Sequence, residues 1–157
     1  MTFIVDVMLG KLAKWLKILG FDALFMAADD DKILAVARRE SRTLLTRDRE
    51  FIRRAGHHPA LLIESTHWPD QVRQVLARFD LSGEARPFTR CLECNVPLES
   101  LSREAAVRIV PPYVLERSES FSLCPRCGRA FWAGTHQSEM EHVIRELLGQ
   151  SRNAGIV

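Results

Sequence analysis

The stretch Thr43-Leu44-Leu45-Thr46-Arg47-Asp48 decides the fold. Residues 43–46 are β-branched and apolar, which predicts a short buried strand. The charged and apolar residues at 49–55 predict a helix, so Asp48 lies where a strand gives way to a helix. In open α/β sheets, ligands bind at the carboxyl ends of the strands. We therefore interpret Asp48 as one of several carboxylates gathered at that edge.

The composition of the chain is typical of a soluble globular protein. Of its 157 residues, 46% are hydrophobic and 27% are charged. No apolar run is long enough to span a bilayer. Residues 1–6 carry no basic segment and reach an acid at Asp6, which is unlike a signal peptide. We expect no membrane partner and a cytoplasmic location.

Alternating apolar runs and helical patterns predict a parallel sheet flanked by helices. The predicted strands are 3–5, 21–26, 43–46 and 60–63, and the predicted helices are 8–19, 32–41, 49–55 and 70–79. The resulting βαβαβαβα order implies a parallel sheet with helices on both faces. Short, continuously apolar strands suit a sheet that is covered on both sides.

Aspartate is confined to the first half of the chain. All eight aspartates lie within residues 1–80, and Asp6, the triplet 29–31 and Asp48 each follow a predicted strand. One acid of the triplet can cap the next helix, and its neighbours favour the positive end of the helix dipole. Three acids exceed what a cap requires, so one or more could also join a carboxylate cluster.

Lysines recur every three residues along the first predicted helix, at Lys11, Lys14 and Lys17. A solvated helix face explains this spacing, and so does a basic stripe beside Asp6 that suits a phosphate backbone. The sequence leaves both interpretations open. The aromatic content of 8% offers no clear stacking platform for single-stranded nucleic acid.

Two Cys-x2-Cys pairs lie in the second half of the chain. Their members are Cys91, Cys94, Cys124 and Cys127. Without an export signal this pattern indicates a metal site, and four thiolates suit a closed, structural Zn²⁺ centre. Because 29 residues separate the pairs, we expect an inserted segment at 98–121. So small a module would take much of its folding free energy from the metal.

The linker at 82–87 predicts a division into a first domain, residues 1–81, and a small zinc-binding domain, residues 88–150. The second domain should end in a helix from Ser138 to Leu148. Ser138 and Glu141 have the spacing of a capping box, which predicts that the helix begins there.

The chain resembles the Mut7-C ribonuclease-like family, a branch of the PIN-domain nucleases fused to a zinc ribbon. The resemblance is carried by Val5-Asp6, residues 9–16 (LGKLAKWL), residues 19–22 (LGFD), the acids at 29–31, residues 44–49 (LLTRDR), the two cysteine pairs and Phe131-Trp132-x-Gly134-Thr135-His136. It covers nearly the whole length. Many bacterial relatives carry a ubiquitin-like domain ahead of this unit, whereas this sequence starts directly at the first predicted strand, so we expect either the short form or a sequence trimmed to it.

The resemblance implies a metal-dependent ribonuclease on a PIN-like parallel sheet, followed by a zinc ribbon. PIN nucleases gather carboxylates at the carboxyl edge of the sheet and bind Mg²⁺ or Mn²⁺. By this resemblance Asp6, Asp30 and Asp48 would be the catalytic acids and metal ligands. Asp29 would be an alternative or additional metal ligand beside Asp30. Thr46 would orient Asp48 or a metal-bound water.

The same resemblance implies RNA as the partner. Arg47 would hold a phosphate, and Lys11, Lys14 and Arg49 would steer the RNA backbone. The alternative is a non-catalytic module that binds RNA or a ribosome on a PIN-like scaffold. A phospho-acceptor domain of the receiver type fits less well, because no late lysine matches one. A homo-oligomer or a protein partner is left open.

Overall fold

The computed structural model describes residues 1–153, with the backbone alone for residues 135, 136 and 150–153. The first half comprises β1 (Thr2–Asp6), a 3-10 turn (Val7–Leu9), α1 (Gly10–Ile18), β2 (Asp22–Met26), α2 (Asp30–Arg39), β3 (Thr43–Thr46), α3 (Arg49–Ala55), β4 (Ala60–Leu62) and α4 (Trp68–Phe79). The second half comprises β5 (Glu99–Leu101), α5 (Arg103–Ala106), α6 (Pro112–Arg117), β6 (Phe121–Leu123), β7 (Ala130–Trp132) and α7 (Thr135–Asn153).

The first four strands form one parallel sheet in the order β2-β1-β3-β4. Asp6 lies beside Met26 of β2, and Val5 lies beside Leu45 of β3. The predicted parallel sheet flanked by helices is therefore confirmed. All four strands point the same way, so the segments that follow them, including Asp48, emerge at one edge.

Side chains of the central strands alternate between two apolar layers. Phe3 and Val5 pack with α1 and α4 on one face, whereas Ile4 and Leu44 pack with α2 and α3 on the other. These four side chains are 0% exposed. Burial on both faces explains why the strands are continuously apolar in sequence.

The second sheet is antiparallel, in the order β5-β6-β7. It has a small core of its own, made by Ala106, Val110, Val114 and Phe121. Segment 98–121 supplies β5, α5 and α6, so the long interval between the cysteine pairs is a folded insertion. This core is far smaller than that of the parallel sheet, as the prediction of a metal-dependent module requires.

The last helix begins earlier than the capping-box pattern predicts. Helix α7 starts at Thr135, so Ser138 lies inside the helix and the prediction of an N-terminal cap at Ser138 is wrong. The first turn already forms at Gly134, whose carbonyl accepts the N–H of Gln137 at 3.0 Å. Ile144 and Leu147 of α7 join the core of the parallel sheet. The division into residues 1–81 and 88–150 stays a prediction.

The segment after α4 lies against the end of α1. The N–H groups of Arg86 and Phe88 donate to the carbonyls of Leu19 and Ile18 at 2.8 and 2.9 Å. Gly20 has φ +92°, and a Cβ there would lie 2.2 Å from the carbonyl oxygen of Arg86. Only glycine fits this position, because both the backbone conformation and the close approach exclude a side chain.

The loop that carries Cys91 and Cys94, here called the first cysteine loop, packs against the edge strand β2. The side-chain oxygen of Asn95 accepts the N–H of Ala23 at 3.1 Å, and its amide donates to Asp22 at 2.8 Å. Arg42 forms an ion pair with the same Asp22 carboxylate at 2.5 Å. Side-chain and backbone bonds therefore connect the two halves of the chain.

Across the residues that the structure describes, none of the helices is both long enough and apolar enough to cross a membrane.

Candidate carboxylate site and cysteine centre

Asp6 and Asp48 lie at the ends of neighbouring strands, and Thr46 joins them. The Thr46 hydroxyl donates to Oδ2 of Asp6 at 2.8 Å. The same hydroxyl oxygen accepts the backbone N–H of Asp48 at 3.0 Å. Thr46 is 0% exposed and Asp6 is 6% exposed. The predicted convergence of strands β1 and β3 thus places these three residues in one hydrogen-bonded chain.

Asp48 also begins α3. Its Oδ1 accepts the backbone N–H groups of Glu50 and Phe51 at 2.7 and 3.2 Å, which satisfies two donors that a helix start leaves unpaired. Within residues 1–153 its Oδ2 makes no hydrogen bond or ion pair. One oxygen of Asp48 therefore fixes the helix, while the other is available to a ligand.

The Asp6 carboxylate is buried without a cation beside it. Among the described residues its side chain has the Thr46 hydroxyl as hydrogen-bond donor and no ion-pair partner. A buried charge is costly unless it is paired, and one neutral hydrogen bond compensates little of that cost. This arrangement favours a bound cation at the edge of the sheet.

The three acids of the triplet 29–31 form ion pairs with basic side chains of α2 and α3. Asp29 caps α2 by accepting the N–H of Lys32 at 3.0 Å, and it pairs with the Lys32 ammonium at 2.8 Å. Arg54 of α3 pairs with Asp30 at 2.6 Å and with Asp31 at 2.5 Å. The cap and the ion pairs account for the sequence pattern of the triplet without a metal.

Among the described side chains, no hydrogen bond or ion pair joins the triplet 29–31 to Asp6 or Asp48. Among the side chains that the structure describes, the four cysteines are the one group of three or more His, Cys, Asp or Glu residues whose ligand atoms lie within 4.8 Å of one another. Asp6 and Asp48 are linked through Thr46, whereas Asp29 and Asp30 remain outside that group.

Asp29→Ala should lower the thermal midpoint of unfolding by about 2–4 °C, because the helix cap is lost. The hydrogen bonds from the side chain and then the backbone of Lys32 lower the pKa of the Asp29 carboxyl. Its contribution is therefore complete above the carboxyl pKa of the unfolded chain, and it is lost as the pH falls through the lowered pKa of the folded chain. Thermal melts at pH 7 and below pH 4 measure the difference.

The control for this prediction is Lys32→Met, which removes the ammonium and retains the backbone cap, so it should shift the midpoint less. A difference between wild type and Asp29→Ala that grows on acidification would contradict the prediction.

The four cysteines form a compact centre. Their Sγ atoms all lie within 4.8 Å of one another, and those of Cys91 and Cys127 are 3.9 Å apart. Four thiolates around one Zn²⁺ at about 2.3 Å would be about 3.8 Å apart. Cys91 and Cys124 are 0% exposed. The donor set and spacing fit a closed tetrahedral zinc site, as the cysteine pattern predicts.

Each cysteine pair lies on a tight loop that aims N–H groups at sulfur. The N–H of Cys94 points to Sγ of Cys91 at 3.4 Å, and the N–H of Cys127 points to Sγ of Cys124 at 3.5 Å. Gly128 has φ +70° where the second loop turns. These donors stabilise negative charge on the sulfurs, which a metal ligand carries.

The pKa values of the Cys94 and Cys124 thiols are shifted by the close packing of the four sulfurs and by nearby N–H groups. Burial and the neighbouring Cys127 and Cys124 thiols raise the pKa of Cys94 to about 12. Burial also acts to raise the pKa of Cys124, but the N–H groups of Cys127 and Arg126 outweigh it and lower that pKa to about 7. Four sulfurs so close together cannot all ionise without a cation between them.

A family model described as the Mut7-C RNAse domain matches residues 1–144. The chain belongs to the Mut7-C RNAse family. The resemblance drawn from the motifs is confirmed, and membership indicates a ribonuclease-like function with RNA as the ligand. No curated protein and no solved structure matches the chain.

Only two of the three regularly spaced lysines of α1 are exposed in this Mut7-C chain. Lys11 and Lys14 are exposed, and Lys11 lies 5.7 Å from the ring centroid of Trp68. Lys17 is partly buried and donates to the carbonyl of Leu92, and burial lowers the pKa of its ammonium. The two exposed lysines keep both interpretations open, and Lys17 instead connects α1 to the first cysteine loop.

Arg47 and Arg49 of the Mut7-C chain flank Asp48. The Nε of Arg47 is buried and has no hydrogen-bond partner among the described residues. An unpaired buried donor is costly, so an acceptor such as a phosphate oxygen would stabilise it. The Arg49 side chain is exposed. Both residues lie at the edge where the Thr46 hydroxyl joins Asp6 to Asp48.

The exposed aromatic residues of the Mut7-C chain were missed by sequence reasoning. Tyr113 is 60% exposed and Trp132 is 39% exposed, and both line one cavity. Their low count suggested no stacking platform, yet two rings in one cleft are enough for one. The Phe131-Trp132 pair lies in a module with little core, and this is the sequence signal that points to exposure.

Proposed function

We propose that the chain is a metal-dependent ribonuclease that hydrolyses RNA phosphodiester bonds at the carboxyl edge of a PIN-like sheet. The observation that carries the proposal is the buried Asp6 carboxylate, which forms no ion pair with any described Lys, Arg or His side chain and which Thr46 joins to Asp48. Membership of the Mut7-C RNAse family supports RNA as the substrate.

The oxygens at this edge suit a hard divalent cation. Asp6 and the free Oδ2 of Asp48 are the carboxylate ligands that Mg²⁺ and Mn²⁺ prefer. When bound, such an ion would stabilise charge on the phosphoryl oxygens and increase the acidity of a water molecule. Thr46 orients the Asp6 carboxylate by donating its hydroxyl proton to Oδ2. The Asp48 cap fixes its carboxylate relative to α3.

Asp30 is our third proposed carboxylate, with Asp29 as the further candidate. Arg54 holds Asp30 at 2.6 Å, so Asp30 could act as a ligand only if this ion pair opens. Asp30 is the better of the two, because both oxygens of Asp29 are already used by Lys32.

Basic side chains around the carboxylates would bind the RNA. The orphaned Nε of Arg47 is suited to a phosphate oxygen. Lys11, Lys14 and Arg49 are exposed and would attract the backbone through long-range, salt-dependent electrostatics.

The second half would be a structural zinc ribbon that assists the recognition of RNA or a partner. Cys91, Cys94, Cys124 and Cys127 would hold one Zn²⁺ in a site with no open position. We retain residues 1–81 and 88–150 as the two units and a cytoplasmic location as the compartment.

The test is a cleavage assay with purified protein, on varied RNAs, with Mg²⁺, with Mn²⁺ and with neither. Cleavage should require the divalent ion, and Asp48→Asn should lower it by at least about 10-fold. Asn also caps helices, so the stability of the variant should stay close to wild type. Undiminished cleavage by Asp48→Asn would refute the role of this carboxylate.

The alternative is a non-catalytic module that binds RNA or a ribosome. The contact that favours it is the ion pair between Arg54 and Asp30, which occupies the third carboxylate. RNA binding that is insensitive to Asp48→Asn, with no cleavage under any metal condition, would support this alternative.

A further inference from the structure

Trp132 lines two cavities of the molecule. It ends β7, an edge strand of the antiparallel sheet, and its side chain is 39% exposed. Trp132, Phe131 and Arg90 line one cavity of about 180 Å³. Trp132, Tyr113 and Arg117 line the other, of about 450 Å³. The indole is partly exposed and contributes to the walls of both cavities, so a planar ligand can reach it.

The larger cavity combines two exposed rings with a cation. Tyr113 is 60% exposed, and the exposed guanidinium of Arg117 makes no hydrogen bond or ion pair within residues 1–153. The Ser118 hydroxyl donates to the carbonyl of Ala133 at 3.0 Å, which fastens the end of α6 to the end of β7. This bond holds the tyrosine and arginine of α6 beside the tryptophan of β7.

The smaller cavity adds polar groups to an apolar wall. Ser120, Ser122 and Gln137 line it together with Phe131 and Met140. Hydroxyl and amide groups can donate to or accept from the edge of a nucleobase, while an aromatic wall covers its face. The pairing of ring surfaces with neutral polar groups suits a base better than a phosphate.

The surrounding charge points the same way. Glu116 and Glu119 are exposed and lie on either side of Arg117 in sequence, so acidic as well as basic side chains occur in this segment. The affinity of this surface for a nucleic acid would come mainly from stacking on the bases rather than from phosphate contacts. Any of the bases can stack in this way, because each has an aromatic face. A duplex hides the faces of its bases, so the ligand must be single-stranded.

We propose that Trp132, with Tyr113 and Arg117, forms a stacking site for an unpaired base of single-stranded RNA. The choice of RNA rests on the proposed ribonuclease function. The site lies in the second module, outside the carboxylate edge, and would hold a substrate segment at a distance from the scissile bond.

The test measures binding by fluorescence anisotropy in the Asp48→Asn background, with a labelled single-stranded RNA and with the matching duplex. Trp132→Ala should weaken binding of the single strand by about tenfold or more and leave duplex binding nearly unchanged. Trp132→Phe retains a ring and should keep most of the affinity. The matched control is Val107→Ala, which removes an exposed apolar side chain of the same module and should change nothing.

Unchanged single-strand affinity in Trp132→Ala would overturn the proposal. Should that variant lose its zinc or unfold, Tyr113→Ala and Arg117→Gln decide, because both side chains are exposed; wild-type affinity in both overturns it. Failure of the parent protein to bind single-stranded RNA would also overturn it.

RNA cleavage by the wild-type chain is measured in a separate assay, so that the nuclease proposal and the stacking site are tested independently. Binding that depends on Trp132 without any cleavage would reject the nuclease and support this site. Cleavage by the wild-type chain, together with RNA binding that is unchanged in Trp132→Ala, would support the nuclease and reject this site.

Discussion

Asp6→Asn is expected to lower metal-dependent RNA cleavage by at least about 100-fold. Partners that only orient a metal ligand typically contribute about 10–100-fold, so the loss of a charged ligand should cost at least as much. Asn keeps the size of the side chain and an oxygen that can accept the Thr46 hydroxyl. The free energy of unfolding should therefore change by less than about 1 kcal/mol, or rise, because a buried charge is removed.

The measurement pairs initial cleavage rates at saturating Mn²⁺ with a denaturant titration. Asp80→Asn is the matched control, because Asp80 is exposed, ends α4 with φ +53°, and can be replaced by Asn without strain. Equal rates for Asp6→Asn and Asp80→Asn would sink the carboxylate mechanism.

Cys124→Ser is expected to abolish tight zinc binding and to unfold the second half of the chain. Cys124 is 0% exposed, and its sulfur accepts the N–H of Cys127 at 3.5 Å. Structural zinc contributes about 10–16 kcal/mol to small modules, which exceeds what a core of a few apolar residues can replace. The zinc content measured by elemental analysis should fall from one zinc per chain in the wild type to a small fraction of that in Cys124→Ser.

Hydrogen exchange should then lose protection in residues 88–134, while β1 and β3 stay protected. Arg126→Ala serves as the control, since Arg126 lies between two ligands but its exposed side chain contributes no sulfur. Full zinc occupancy and protection in Cys124→Ser would contradict a four-thiolate site.

The parallel sheet was predictable because its strands are buried on both faces. Strand β3 has the bounds predicted for it, Thr43–Thr46, since every side chain in that run is buried and apolar or β-branched. Helix starts were less predictable. The 3-10 turn at Val7–Leu9 delays α1 to Gly10, and local hydrogen-bond geometry of this kind leaves little trace in sequence.

The candidate site was predictable only in part, because its contacts join distant positions. Strand ends predicted that Asp6 and Asp48 would be neighbours. Thr46 was predicted to orient Asp48 or a water, and its hydroxyl oxygen does accept the N–H of Asp48. The hydrogen bond that the same hydroxyl donates to Asp6 was not predicted. Nor does any local pattern reveal that Arg54, 24 residues away, pairs with Asp30.

The Asn95 contact on β2 has a consequence for how the protein tolerates zinc shortage. An uncovered outer strand offers its amides and carbonyls to any extended segment of another molecule. Asn95 covers part of that strand by accepting the N–H of Ala23, and its place in the loop depends on the neighbouring Cys91 and Cys94. If zinc fills the proposed four-cysteine site, chains made without it should expose β2 and aggregate through that strand, so zinc shortage would reduce solubility.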